Sequence, residues 1–240
     1  MFWDEHVPDL EHCLRELEAG PDPNTTAMFG AIAPLEGLRV LDFACGPGVT
    51  AAFLAKRGAI VTGIDISPVS IARGRELAQH TGLSIDFVVG ELTPDSFSPA
   101  TFDAVVGRYA LHHVDLAQVA PILGGILVPG GRCAFVETMA LNPLLNFARR
   151  RIAGYARVAN LGSDDEHPLR RADLHILETN LGQVRLLVGE MRFLRIFDRN
   201  VLRYGHPRVS AFLAGIDDVL LRCGLGVLSY HQVVALTKRS

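Results

Sequence analysis

Val40-Leu41-Asp42-Phe43-Ala44-Cys45-Gly46-Pro47-Gly48 runs from an apolar strand into a glycine turn, with a carboxylate just before the turn. A helical stretch, Val49–Arg57, follows. Then comes a second apolar run, Ala59-Ile60-Val61-Thr62-Gly63-Ile64, ended by Asp65 about twenty residues after the turn. A glycine turn that opens a helix, with an acid at that distance, is how a doubly wound sheet holds a nucleoside. The glycines let backbone approach the ligand and the acid takes the ribose hydroxyls. Asp42 narrows the choice of ligand. A pyrophosphate at this turn would lie beside a like charge, whereas S-adenosylmethionine has no phosphate and carries an ammonium and a sulfonium. Charge therefore points to S-adenosylmethionine as the cofactor.

Outward from this stretch, strands and helices alternate. Apolar runs at Leu38–Phe43, Ala59–Ile64, Ser84–Val89, Asp103–Gly107 and Arg132–Glu137 are separated by helical stretches at Val49–Arg57, Pro68–Thr81 and Leu116–Leu127. Short apolar strands between helices imply a parallel sheet covered on both faces. Gly130-Gly131, after Pro129, makes a sharp stop before the fifth strand. Later, Val184–Val188 reads as a strand, Val209–Cys223 as a helix and Gly226–Thr237 as a final strand. The expected fold is α/β, a doubly wound and mostly parallel seven-stranded sheet with helices on both faces and a helical cap insertion. Residues 1–37 read as an N-terminal helical lead or lid, with Leu10, Cys13, Leu14 and Leu17 at helical spacing and Gly20-Pro21-Asp22-Pro23 as its stop. Residues 38–137 form the cofactor-binding core and 183–240 complete its sheet. Residues 138–182 read as the cap, with an apolar stripe at Leu141, Leu144, Leu145, Ala148 and Ile152 and a short helix near Arg171–Thr179.

Composition excludes several classes. A chain of 240 residues suffices for one large domain, or for a core plus a small cap. A hydrophobic fraction of 49% excludes wholesale disorder. The net charge of -3 offers nothing to nucleic acid. The four cysteines lie far apart with no Cys-x-x-Cys pair, which argues against a zinc site or redox dithiol. Free cysteines on apparent strands suit a reducing compartment. The acidic start Met1–His6 lacks a signal-peptide pattern. No apolar run approaches the roughly 20 residues of a membrane span. The expected setting is cytoplasmic.

The order of these pieces resembles the class I S-adenosylmethionine-dependent methyltransferases, particularly the small-molecule branch. The likeness is close over about residues 37–137. The family's Asp-x-Gly-x-Gly-x-Gly is met by Asp42-Phe43-Ala44-Cys45-Gly46-Pro47-Gly48, where Ala44 replaces the first glycine. The resemblance implies that Asp42, Ala44, Gly46 and Gly48 frame the cofactor, Asp65 takes both ribose hydroxyls and Ile66 packs on the adenine. It implies further that Glu91 takes the adenine amino group and Leu92 faces the ring edge through its backbone. The segment Phe102–Val114, with Arg108 counted among the cofactor residues, matches the family's fourth strand and following turn, which borders the sulfonium and the methyl acceptor. Leu127-Val128-Pro129-Gly130-Gly131 matches the loop before the fifth strand. The implied activity is methylation of a small molecule such as a natural product, quinone or lipid-like acceptor.

Tyr109, His112, His113, Glu137 and His167 are the candidates for acid–base work near the methyl group, because histidine titrates near neutral pH. The competing reading makes one of the paired histidines a support for the turn. Asp164-Asp165-Glu166-His167 offers oxygen and imidazole ligands, but adjacent side chains in a loop seldom converge on one ion, and no metal is expected. Arg149, Arg150 and Arg151 read as a solvated helix face whose apolar reverse lines the pocket or meets a membrane surface or a second subunit. A homodimer through the cap or the N-terminal helix is compatible with the sequence, which does not itself show one. Two other functions stay open. Gly46–Ala51 also fits Gly-x-Gly-x-x-Ala, the mark of an NAD(P)-dependent oxidoreductase. Ala44 and the lack of an unmistakable base leave room for a protein that keeps the cofactor fold without methylating.

Overall fold

The computed structural model describes residues 4, 7–144, 146–147, 167–191, 193–198 and 205–239. Its strands are β1 (Arg39–Phe43), β2 (Ile60–Asp65), β3 (Ile85–Val89), β4 (Phe102–Arg108), β5 (Leu127–Thr138), β6 (Val184–Leu187) and β7 (His231–Thr237). They form one seven-stranded sheet in the order β3-β2-β1-β4-β5-β7-β6. The first five strands of that order run parallel, and β7 is antiparallel to both of its neighbours. The helices are α1 (Leu10–Ala19), α2 (Pro23–Ile32), α3 (Val49–Ala55), α4 (Pro68–Thr81), α5 (Leu116–Ile126), α6 (Arg171–Asn180), α7 (Leu194–Phe197) and α8 (Pro207–Arg222).

Strand side chains alternate between two apolar layers, as the period of two requires. Val40, Ala104, Val106, Ala134, Val136 and Val233 meet α1–α4 on one face. Leu41, Val105, Cys133, Phe135 and Val234 meet α5 and α6 on the other. This alternation later decides which side chains can share a site.

The N-terminal lead is two helices. Asp22 caps the second, accepting from the backbone N–H groups of Asn24 and Thr25, with Pro23 pre-set at the first helical position. α2 is more than a lead: Met28 and Ile32 are fully buried in the first apolar layer. Within the stretch read as a cap, α6 puts Leu177 and, just beyond its end, Leu181 into the second layer beside α5.

Two strand readings need revision. Residues 128–131 interrupt the β4–β5 ladder: Phe102 pairs with Leu127, but Ala104 pairs with Arg132, so the glycine stop lies inside a single irregular β5. The final strand starts at His231, not Gly226, and Leu225–Leu228 forms a 3-10 turn. The carbonyls of Val227 and Leu228 are held by the side-chain amides of Gln232 and Asn142, which withdraws them from a ladder.

Candidate active site

Because β1–β5 are parallel and β7 starts opposite the end of β5, one edge of the sheet gathers the turns after β1, β2, β3 and β4 with the first residue of β7. That edge is where ligands sit in open α/β sheets. Across it, in strand order, lie Glu91, Asp65, the Asp42–Gly48 turn, Arg108–His113, Glu137 and His231.

The turn after β1 is left-handed three times, at Ala44 (φ 54°), Gly46 (φ 52°) and Gly48 (φ 77°). Gly48 is demanded by packing as well: a Cβ there would lie 2.7 Å from the Phe87 ring, which also fills the space beside Gly63 and Gly74. Gly46 faces open space. Ala44 is exposed and adopts a backbone conformation suited to glycine, at a cost of about 1 kcal/mol. The departure from the glycine motif is thus a local strain, with its methyl group on the open side.

Asp65 ties two turns together. One carboxylate oxygen accepts the Gly46 N–H at 2.8 Å and the other the Ser67 N–H at 2.9 Å. Ser67 in turn caps α4, its hydroxyl accepting the Ser70 N–H at 3.0 Å and donating to Asp4 at 2.6 Å. Ile66 is 38% exposed and Glu91 is exposed, so both line the open side, while the Leu92 side chain belongs to the second apolar layer. The Gly90 N–H bonds to the Asp65 carbonyl, which draws the β3 turn against the β2 turn.

Asp42 is 1% exposed, and its Oδ2 has no hydrogen-bond partner. Burial pushes its carboxyl from an ordinary 3.8 up to about 7; the Arg108 charge and the Ala51 backbone N–H oppose this and the Asp65 charge adds to it. Arg108 stands on the same face, one strand away. Its terminal nitrogens bond to Glu16 at 3.1 Å and Asp22 at 3.3 Å, which pins the α1–α2 junction to β4. Its Nε is buried without a partner. A buried, unpartnered carboxylate oxygen and a buried, unpartnered guanidinium N–H therefore stand at neighbouring strand ends.

The turn after β4 is organised by Glu137, which is fully buried. One of its oxygens accepts from the Ala110 and Leu111 N–H groups at 2.9 and 2.7 Å, and the other takes His112 Nδ1 at 2.7 Å. The carboxylate fixes the tautomer, so the neutral His112 ring carries its lone pair on Nε2. His113 is exposed and its ring lies 4.0 Å, centroid to centroid, from that of His112. His167 is exposed two residues before Leu169, which bridges to Met139 just past β5. Asp164–Glu166 and Arg149–Arg151 lie outside the described residues. Among the described residues no cluster of three His, Cys, Asp or Glu is placed to hold a metal ion, and no helix is long and apolar enough to cross a membrane.

Sequence reasoning did not find His231, Glu16, Asp22 or Phe87. Only the alternation of β7 carried a signal for His231, and that signal requires knowing where β7 begins. The sheet departs from the strand order 3-2-1-4-5-6 of dinucleotide-binding folds: here antiparallel β7 is wedged between β5 and β6.

Comparison with known proteins agrees. Residues 40–131 match the family model described as a methyltransferase domain. Over those residues the chain carries a methyltransferase domain. A ubiquinone biosynthesis O-methyltransferase of Methylocella silvestris is 40% identical over 139 residues, 58% of this chain and 53% of that protein. The chain thus spans about half the length of the curated relatives it matches. Among solved structures, a magnesium protoporphyrin IX methyltransferase from Synechocystis PCC 6803 with bound SAH superposes at TM-score 0.59 and 16% identity, over 95% of this chain and 94% of that one. A [4+2]-cyclase superposes at 0.60 and 19% identity, over 90% and 79%. At such identities these structures speak for the fold.

Proposed function

We propose that this chain is an enzyme that transfers a methyl group from S-adenosylmethionine to a hydroxyl of a small organic acceptor of natural-product, quinone or lipid-like type. One observation carries the cofactor assignment: the unpartnered Asp42 oxygen beside the unpartnered Arg108 Nε. Each lone buried polar atom costs about 1–3 kcal/mol, and native proteins leave few of them. The amino-acid end of S-adenosylmethionine is a zwitterion, and its ammonium and carboxylate answer this pair of opposite needs. A diphosphate would suit Arg108 and be repelled by ionised Asp42. The Methylocella silvestris relative is an O-methyltransferase, which supports an oxygen acceptor.

S-adenosylmethionine, when bound, supplies the electrophilic methyl group. The chain's residues supply the rest. Asp42 and Arg108 orient the amino-acid end. Asp65 keeps lone pairs for the ribose hydroxyls beside those already given to Gly46 and Ser67. Ile66 offers an apolar surface to the base, and Glu91 and the Leu92 backbone edge it. The turn after β4 lines the methyl side. There His112 holds Nε2 as the proton acceptor for the hydroxyl, oriented from behind by Glu137. Positioning of this kind contributes several kcal/mol, and a placed base adds about a hundredfold or more.

A second reading keeps the cofactor without methyl transfer. The fold is shared with a [4+2]-cyclase, and strained Ala44 stands where the motif has glycine. Incubation with isotopically labelled S-adenosylmethionine and a metabolite extract separates the two. A one-methyl mass gain in an extract component supports the transferase; cofactor binding with no labelled product in any fraction supports the alternative.

A further inference from the structure

Side-chain alternation along β4 places Ala104, Val106 and Arg108 on the α1–α4 face, so Tyr109 belongs on the α5 face. It does not go there. Tyr109 adopts φ 56° and packs against the α1–α4 layer with Arg108. A left-handed backbone at an aromatic residue costs about 1–2 kcal/mol, and such strain concentrates where function needs it. Its effect is to swing the ring onto the face that carries Asp42, while Tyr109 N–H still extends the ladder to the Val136 carbonyl at 2.8 Å.

Waiting on that face is His231. It shares the parity of Val233 along β7, and Val233 lies in the same layer. The Tyr109 Oη and His231 Nδ1 are 3.5 Å apart, the rings meet edge to face at 5.1 Å, and Tyr230 lies on the histidine at 4.6 Å. All three rings are half-buried. Residues more than a hundred positions apart thus converge at the site edge, on the side of β4 away from Asp65. This location lies across the Asp42–Gly48 turn from Asp65, at the turn after β4.

We infer that Tyr109 and His231 form the acceptor-holding pair of the site, taking a flat ring against their aromatic faces and hydrogen-bonding a polar ring substituent, while the hydroxyl to be methylated faces His112. The inference rests on the methyl-transfer reading above and assigns its acceptor side. The pair binds and orients the acceptor; His112, on the other face of the edge, is separate from it.

The probe is 4-nitrocatechol, whose absorbance reports its environment and ionisation, titrated into the whole chain saturated with S-adenosylhomocysteine. The expected result is a saturable absorbance change, with affinity at least about tenfold weaker in Tyr109→Phe and in His231→Gln. In both variants, S-adenosylhomocysteine affinity by calorimetry stays within about twofold of the parent, which also certifies the fold; His231→Asn replaces His231→Gln if the latter does not fold. No saturable binding to the parent, or unchanged affinity in both variants, overturns the pair's role while leaving methyl transfer standing. Failure of the parent to bind S-adenosylhomocysteine overturns the methyl-transfer reading itself, and this assignment with it.

Discussion

The two halves of the site edge are built in different ways. On the β1–β3 side every functional group lies at the end of a strand or in the turn after it, and the contacts run from backbone N–H groups to Asp65: Gly46 and Ser67 to its carboxylate and Gly90 to its carbonyl. On the β4–β7 side the contacts join side chains from distant segments: Glu137 to the 110–112 turn, Arg108 to Glu16 and Asp22, and Tyr109 to His231. The first half uses local backbone geometry, which tolerates little change and suits a constant cofactor. The second uses side chains on a fixed frame, which can be exchanged without altering the fold and suits a variable acceptor.

If this division is right, the largest effect follows from Asp65→Ala. Removing a carboxylate that holds two turns and faces the ribose should weaken S-adenosylmethionine by about a hundredfold or more, at about 1.5–3 kcal/mol per lost charged hydrogen bond. An affinity within threefold of the parent, by calorimetry, would erase the distinction between the halves.

Asp42→Asn comes next and acts in two directions. Asp42 holds its proton more tightly folded than unfolded, so the folded state binds the extra proton between pH 3.8 and about 7. The group therefore costs stability progressively as pH rises through that window, by an amount on the order of 4 kcal/mol once above it. The variant should unfold at higher temperature than the parent at pH 8, converge with it near pH 4, and bind the cofactor about tenfold or more weakly at pH 8. Equal melting temperatures at both pH values would show that the carboxyl is not desolvated as described.

On the acceptor side, Glu137→Gln should lower kcat by about tenfold or more, because the His112 ring loses the carboxylate that orients it. Cofactor affinity should stay within about threefold. A loss of cofactor affinity equal to the loss of kcat would mean that the halves are not separable. The smallest expected effect is that of Ala44→Gly: relief of the left-handed strain should stabilise the fold by about 1 kcal/mol, read as a rise of a few degrees in Tm, with little change in turnover.

The same contrast explains what the sequence revealed. The order of strands and helices, the glycine turn and the Asp65 position follow from local patterns in adjacent residues, and the structure places them at one sheet edge. Arg108 follows from its place at the end of β4, but its bonds to Glu16 and Asp22 are encoded by no local pattern. Glu137 binds both the turn after β4 and the His112 ring, a tie between distant segments that no local pattern encodes. His231 was invisible because its relevance depends on a strand pairing, Thr138 with His231, across more than ninety residues. The place of Tyr109 after β4 is legible in the sequence, but the face it occupies depends on a dihedral angle that no periodicity reveals.

The central claim is that a buried carboxylate at the first glycine turn receives a positively charged methyl donor. Its most direct test is calorimetric titration of the chain with S-adenosylmethionine at pH 6.5, in buffers of differing ionisation enthalpy, beside a parallel titration with NADH. The account predicts saturable S-adenosylmethionine binding that releases protons to the buffer, loss of that release in Asp42→Asn, and much weaker binding of NADH. Tighter binding of NADH, or no binding of S-adenosylmethionine at millimolar concentration to the folded protein, would contradict it.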